Sequence, residues 1–477
     1  MLTKLINSNK GLLLQGYFAF LILFIFSILF YQERILMFDT VFQFFKILNF
    51  EKFNIEAGRY SVFISQIPLL LGIKMNLPIE TCMYIFSVSF VVLYFMIFLI
   101  VSKTLKYPAV GLAFILIMIS NIDQCFFFLI TETHQALAYS VLLFALRFYD
   151  LKNRVIEFIL MNILIVLSFF AHPVAFFCIV FTLVYYMVEK NDYKNILNYA
   201  YIVIAIVLML LKLLTTPSDS YEGSFFSALF NFIKNPDINF YSVVFLLKHI
   251  YPLYWVNLFS LVLLVIMVNK RNNKPKVIFF TTSFLAFLVV LFLTFKNGDS
   301  YVMMQRAYLP LSFFTILPLF YELRNHEKSN LIISSLFIVV AILSFIRIGK
   351  EGIYLHSKTK ELDSIITQAY QKTGKHKFLL DKSKHDYTYE IKSWTFPFMT
   401  LVYSSMKYDP GITMNFVDNV ELYSEYVNST EKCNVFLGPD FWREWSVDGL
   451  NKKYFKLPQC ETYYIIDNNL LKNETQH

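Results

Sequence analysis

Residues 11–31 read GLLLQGYFAFLILFIFSILFY and contain no Asp, Glu, Lys or Arg. A helix needs about 20 apolar residues to cross the roughly 30 Å hydrocarbon core of a bilayer, so this stretch is long enough to span it. No small-residue cleavage site follows it, which argues against a signal peptide removed from the mature chain. The stretch therefore predicts a first membrane-spanning helix.

The composition of the whole chain also indicates a membrane protein. Of its 477 residues, 57% are hydrophobic and 16% are charged. Soluble domains average about 45–50% apolar and about 25% charged residues. The 13 Gly and 14 Pro are too few for a collagen-like or linker-rich protein. These values exclude a soluble enzyme and predict an all-α polytopic membrane protein.

Ten further apolar stretches follow the first one. The eleven predicted spans are residues 11–31, 82–102, 108–120, 133–149, 155–171, 173–188, 197–215, 251–268, 277–295, 307–322 and 330–347. Positive charge favours the cytoplasmic side of a membrane protein. With the N-terminus in the cytoplasm, the inner loops carry 15 Lys and Arg in about 47 residues, and the outer loops carry nine in about 108. This count predicts a cytoplasmic N-terminus.

Eleven spans divide the chain into a transmembrane domain, residues 1–347, and an extracytoplasmic region, residues 348–477. The net charge of +8 arises in the hydrophobic part, so it indicates membrane topology and predicts no nucleic-acid partner. The first outer loop, 32–81, contains apolar residues at helical spacing with a narrow polar stripe over 39–50. That pattern predicts a helix lying in the membrane interface, followed by a short apolar stretch at 60–73.

The C-terminal region has the pattern of a small α/β domain. A predicted helix over 351–371 is followed by strand-like runs at 377–380, 433–437 and 462–466. About 130 residues are enough for such a domain. Two of the five cysteines, Cys433 and Cys460, lie here, where an oxidising compartment permits a disulfide, and the pattern leaves open whether they are bonded.

Motifs of soluble enzymes are absent from the sequence. It contains no Walker A loop, GxGxxG, HExxH, GxSxG or EF-hand loop, which argues against ATP-driven transport by this chain alone. The cysteines form no CxxC pair and have no metal-ligand spacing. No metal site and no cofactor are predicted, and a divalent cation stays open.

Ionisable residues near the predicted outer ends of the spans are the functional candidates, because charges in or beside a membrane are costly. These candidates are Asp39, Arg59, Glu132, His134, His172, Lys212, Arg306 and Tyr308. Five of them also have a structural explanation. Asp39 fits the start of a helix through the helix dipole, Glu132 and His134 fit a solvated helix start, His172 fits a polar turn, and Arg306 fits an interface anchor.

The layout resembles the GT-C class of polytopic glycosyltransferases, which use sugars linked to polyprenyl phosphate. The resemblance is carried by Asp39 just after the first span, by the long outer loop with its predicted interfacial helix, by Glu132 at the outer start of span 4, and by the outer C-terminal domain. The doubled acidic pair usual in that class is here a single acid between Phe38 and Thr40.

The resemblance implies roles for the candidates. Asp39 would act as general base on an acceptor hydroxyl, and Glu132 would assist it or hold the acceptor. Phosphate and sugar would be bound by Arg59, His134, His172, Lys212, Arg306 and Tyr308. The implied partners are the lipid bilayer, a polyprenyl-phosphate-linked sugar and a glycan, lipid or protein acceptor, at the outer face of a bacterial plasma membrane.

Other functions stay open at this point. A polymerase or ligase of the O-antigen type is a related multi-span enzyme whose chemistry lies in a large outer loop. A transporter or flippase of lipid-linked glycans is the alternative from another class, although such proteins usually have charged or Gly/Pro-broken segments at mid-membrane, which these spans almost lack. A structural membrane protein is the remaining alternative.

Overall fold

The computed structural model describes residues 8–129, 132–149, 151–218, 241–294, 301–324, 329–384, 390–438 and 444–466, together with 220, 223, 224, 226, 227, 387 and 388. Helices account for most of these residues, and a small sheet region lies near the C-terminus. The chain is a helical, multi-pass membrane protein.

The helices are numbered here in chain order. They are α1 Asn9–Leu29, α2 Tyr31–Leu36, α3 Asp39–Phe50, α4 Phe63–Lys74, α5 Ile79–Leu99, α6 Pro108–Ile119, α7 Glu132–Phe148, α8 Arg154–Ala171, α9 Ala175–Lys190, α10 Ile196–Thr215, α11 Tyr241–His249, α12 Trp255–Lys270, α13 Lys274–Thr294, α14 Tyr301–Tyr308, α15 Leu311–Leu323, α16 Ser329–Thr373, α17 Phe396–Ser404 and α18 Ser424–Asn428. Single π-turns extend α5 through Thr104 and join α11 to α12.

Within the described ranges, seven helical segments are long and apolar enough to cross a membrane. They are Asn9–Leu29, Ile79–Thr104, Arg154–Ala171, Ile196–Thr215, Tyr241–Lys270, Lys274–Thr294 and Ser329–Thr373. Each contains most or all of one predicted span. The other four predicted spans correspond to α6, α7, α9 and the pair α14–α15, which are shorter than the about 20 residues that a crossing needs. That these four also cross stays a prediction.

Helices α6, α7 and α15 form the interior of the bundle. Every residue of α6 and of α15 is buried, and so are all but one residue of α7. A helix that is apolar on all sides needs other helices around it. The long helices are at the periphery and keep apolar side chains exposed, such as Phe18 of α1 and Leu214 of α10. This surface is the one expected to face lipid.

Helix α16 is 45 residues long, which corresponds to about 68 Å at 1.5 Å per residue. It contains both the last predicted span and the helix predicted over 351–371, so one unbroken helix passes through the predicted domain boundary. It packs closely on the end of α1 at Gly352, where an added Cβ would lie 2.6 Å from the Phe30 ring. Outside the bilayer it leads directly into the first strand.

The C-terminal region contains two small sheets. The first is a parallel sheet of three strands in the order β2-β1-β5, with β1 Lys377–Asp381 between β2 Thr413–Val417 and β5 Tyr464–Ile466. The second pairs β3 Val435–Leu437 with β4 Glu444–Ser446 in antiparallel fashion. All three predicted strand-like runs are therefore strands. A disulfide joins Cys433 to Cys460, which settles the pairing that the sequence left open.

The C-terminal region packs on α3, the helix predicted over 39–50, and buries most of it. That α3 lies in the membrane interface stays a prediction. Phe42 contacts Trp394, and Phe45 contacts Phe398 and Trp445. Even Gln43, in the predicted polar stripe, is buried. Amphipathic spacing shows that a helix face needs an apolar partner, but it does not distinguish a membrane surface from another part of the same chain.

A group of buried charges lies at the C-terminal end of α15. Glu322 is 1% exposed and accepts hydrogen bonds from Tyr185, Lys276 and Arg271 at 2.5 to 2.9 Å. Lys276 also pairs with Glu189. These contacts tie α9, the α12–α13 turn, α13 and α15 together, and no pattern in the sequence indicates them.

Candidate functional site

The turn before α3 positions Asp39. The preceding residue, Phe38, has φ 54° and ψ −147°, a conformation that costs a non-glycine residue about 1–3 kcal/mol. Its ring is buried against Phe128, and this packing holds the backbone in place. Asp39 is the first helical residue and does not occupy the capping position. Simple N-capping therefore does not account for its placement, although the helix dipole still favours an acid there.

Glu132 lies between two arginines. Its Oε1 is 2.9 Å from Nη1 of Arg59, and its Oε2 is 2.7 Å from Nη2 of Arg306. The three side chains are only 7 to 11% exposed. Arg306 also stands over the Phe128 ring, with its guanidinium carbon 4.9 Å from the ring centre. Two cations and one carboxylate leave this group with a net charge of +1.

Asp39 belongs to the same electrostatic environment. Burial raises the pKa of Asp39 to about 6, while the positive charge of Arg306 opposes that rise and the negative charges of Glu132 and Glu56 add to it. A hydrogen bond from the Trp394 side chain also lowers this pKa. Asp39 is therefore a carboxylate whose proton affinity is set close to neutral pH, the range useful to a general base.

Lys212 and His172 add to the positive side of this site. The Lys212 ammonium donates to the Ala57 carbonyl at 2.6 Å, in the turn just before Arg59. His172 Nδ1 accepts from the Val174 amide at 3.1 Å. Burial lowers the pKa of His172 well below its usual value, and Arg59 and Lys212 act in the same direction. His172 is thus a neutral imidazole beside a cluster of cations.

Tyr308 and His134 point away from this group. The Tyr308 hydroxyl donates to the Ser242 carbonyl at 2.6 Å, and its ring packs on Tyr254, so its contacts are structural. His134 lines a separate cavity. Both residues are two positions from a cluster residue along a helix, and two positions correspond to about 200° of rotation. The structure therefore does not bring these two side chains into the group around Glu132, and their binding roles stay predictions.

The structure brings together Asp39, Arg59, Glu132, His172, Lys212 and Arg306, which we call the outer cluster. Sequence reasoning missed Trp394, which approaches Asp39 from the C-terminal region. The only feature of the sequence that singles out Trp394 is that tryptophan is rare, with four in the chain. Among the residues that the structure describes, no group of three His, Cys, Asp or Glu could hold a metal ion.

Comparison with protein-family models, with curated proteins and with solved structures found no match. The function is therefore argued from the chemistry of the outer cluster.

Proposed function

We propose that this protein is an integral-membrane glycosyltransferase that moves a sugar from a polyprenyl-phosphate donor to a glycan, lipid or protein acceptor. The observation that carries the proposal is the outer cluster, in which a carboxylate with a pKa of about 6 adjoins two arginines held by one glutamate. A base beside a fixed positive charge is what sugar transfer from a lipid phosphate requires.

In this mechanism the acceptor oxygen attacks the anomeric carbon of the sugar and gives its proton to Asp39. The bond between that carbon and the phosphate oxygen breaks, and the phosphate leaves with the electron pair. Arg306 and Arg59 stabilise the negative charge of the leaving phosphate, with help from Lys212. Glu132 is assigned a positioning role, because both of its oxygens already bind the arginines.

The finer topology is part of the proposal. We place the N-terminus in the cytoplasm and the C-terminal region outside a bacterial plasma membrane, with eleven spans. Two observations support this orientation. The loop charges follow the positive-inside pattern, and the disulfide between Cys433 and Cys460 suits an oxidising compartment.

A periplasm-dependent reporter tests the orientation. Alkaline phosphatase fused after residue 473 is expected to be active, because the enzyme folds only where its disulfides form. The same reporter fused after Lys152, in a predicted inner loop, should be inactive. An inactive fusion at residue 473 would place the outer cluster on the wrong side for the proposed chemistry.

Turnover by the purified protein tests the function itself. Protein in nanodiscs is incubated with polyprenyl-phosphate sugars and with acceptor glycans from the host, and release of the lipid phosphate is measured without added nucleotide. Transfer with stoichiometric phosphate release supports the proposal. Movement of intact lipid-linked glycan without release would identify a flippase. Deletion of the gene shows which surface glycan loses its sugar and so identifies the donors and acceptors to use.

The pH dependence of turnover follows from the raised pKa of Asp39. The carboxylate must be ionised to accept a proton, so the rate is expected to fall as the pH drops through about 6, approaching tenfold per unit below that value. An unperturbed aspartate would place this fall near pH 3.9. The rate of the membrane-reconstituted protein is measured between pH 4.5 and 8. A flat profile down to pH 5 would contradict the assignment of Asp39 as base.

A further inference from the structure

A small cavity inside the bundle contains polar groups that do not belong to the outer cluster. It has a volume of about 50 Å³ and lies between α1, α2, α5, α6 and α7. Most of its lining is apolar and includes Phe20 and Ile115, whereas Arg34, Tyr94 and His134 supply polar groups. A water molecule needs about 10–15 Å³ of such space, so the cavity has room for a ligand of only a few heavy atoms.

Arg34 has no partner for most of its donors. The residue is 2% exposed, its Nη2 donates to the Ser87 carbonyl at 3.2 Å, and its guanidinium carbon lies 4.1 Å from the centre of the Phe126 ring. Its Nε and Nη1 are buried and have no hydrogen-bond partner among the described residues. These two nitrogens carry three of the five guanidinium N–H donors.

The positive charge of Arg34 is also not balanced by a carboxylate. In the part of the chain that the structure describes, none of its nitrogens hydrogen-bonds an acid. The neighbouring acid, Glu33, binds His356 at 2.8 Å instead. A buried charge without an opposite charge is costly, and one aromatic ring and one carbonyl offset only part of this cost. The cavity therefore favours an occupant with a single negative charge.

Tyr94 supplies a further donor to the same cavity. Its hydroxyl is buried and has no hydrogen-bond partner among the described residues. Nδ1 of His134 is likewise buried and unpartnered. Because a neutral imidazole nitrogen donates in one tautomer and accepts in the other, His134 does not decide the chemistry of the ligand. Arg34 and Tyr94 do decide it, since buried N–H and O–H groups both need an acceptor.

We propose that this cavity binds one small monovalent anion of the size of chloride, with Nε and Nη1 of Arg34 and the hydroxyl of Tyr94 donating to it. Chloride carries the one charge that balances the guanidinium, accepts several hydrogen bonds and needs no donor. Water alone would leave the buried charge unbalanced. The proposal goes beyond glycosyl transfer and does not depend on it, because no sugar or lipid takes part in the binding.

Thermal unfolding in different sodium salts tests the proposal. The melting temperature of the full-length protein in detergent is measured at constant ionic strength while chloride replaces gluconate, an anion of the same charge that is too large for the cavity. A ligand that binds only the folded state stabilises it, so the melting temperature should rise by roughly 1–3 °C and then level off. Bromide should act like chloride. Equal melting temperatures in the three salts would mean that the cavity holds only water and would overturn the proposal.

Arg34→Met shows whether the chloride effect arises at this cavity. Methionine keeps an apolar stem but removes the charge and the donors, so the melting temperature should no longer depend on chloride. The matched control is Arg154→Met, which removes a guanidinium that is 65% exposed and should keep the chloride response of the unmodified protein. A response that survives in Arg34→Met would place the anion elsewhere and refute the proposal.

Tyr94→Phe gives an independent test that keeps the charge. Loss of one hydroxyl donor is expected to raise the chloride concentration of the half-maximal response about threefold to tenfold. If Arg34→Met does not fold, Tyr94→Phe decides, and an unchanged half-maximal concentration would reject the site. Anomalous scattering from crystals grown in bromide should show an ion between Arg34 and Tyr94, and an empty cavity would contradict the proposal. These experiments contain no lipid-linked sugar, so their failure leaves the turnover tests of glycosyl transfer unaffected.

Discussion

Asp39→Asn is expected to reduce sugar transfer by about 10²- to 10⁴-fold, the usual contribution of a general base. The amide keeps the size of the carboxylate and suits a helix start about as well, but it cannot accept the acceptor's proton. Turnover is measured on protein purified from membranes at matched levels. Near-normal turnover would mean that Asp39 serves only the helix.

Stability distinguishes loss of the base from loss of the fold. Burial raises the pKa of Asp39, so the folded state binds a proton more tightly than the unfolded state between about pH 4 and 6. Ionisation of this group therefore opposes folding as the pH rises through that window. Removing the charge should leave the melting temperature at pH 7 unchanged or higher. The matched control is Glu51→Gln, an exposed acid directly after the same helix α3.

Glu132→Ala is expected to have the largest effect on stability, with a loss of about 3–5 kcal/mol. The substitution leaves the buried guanidinium groups of Arg59 and Arg306 facing each other without the carboxylate that both bind. Turnover should be lost as well, because the two arginines would no longer be held in place. Thermal unfolding in detergent and turnover are measured on the same preparation.

Two further variants show whether this loss arises from the broken ion pairs of Glu132 with Arg59 and Arg306. Glu132→Gln keeps an oxygen acceptor and should destabilise less than Ala. In the double variant Glu132→Ala with Arg306→Met, one of the stranded charges is gone, so part of the stability should return. If Glu132→Ala unfolds at the same temperature as the unmodified protein, the ion pairs contribute little and the assigned positioning role is wrong.

The membrane character of the fold could be predicted because it depends on local composition. The stretch at 11–31 and six other predicted spans contain at most one Asp, Glu, Lys or Arg each, and most or all of each lies in a long helix. The strand-like run at 377–380 is also a local pattern, and it forms the central strand of the three-stranded sheet. The packing of the C-terminal region on α3 could not be predicted. The residues that contact α3, such as Trp394, lie more than 300 residues further along the chain.

The outer cluster was predictable in part for a similar reason. Asp39, Glu132 and Arg306 each lie next to the start of a predicted helix, and predicted topology puts those starts on one side of the membrane. Which side chains face one another depends on helix rotation, which is why Tyr308 lies apart from the outer cluster. Glu322 shows the other limit: an acid looks ordinary in a sequence, and only its burial and its contacts in the fold mark it.

The unbroken length of α16 restricts how this protein can vary. Every residue inserted into the helix between the bilayer and the sheet would raise the C-terminal region by about 1.5 Å and turn it by about 100°. A single residue inserted just after Gly352 would thus move Trp394 away from Asp39 and separate His356 from Glu33. Insertions and deletions should accordingly be confined to the connections between helices. None should be tolerated within α16, from Ser329 to Thr373.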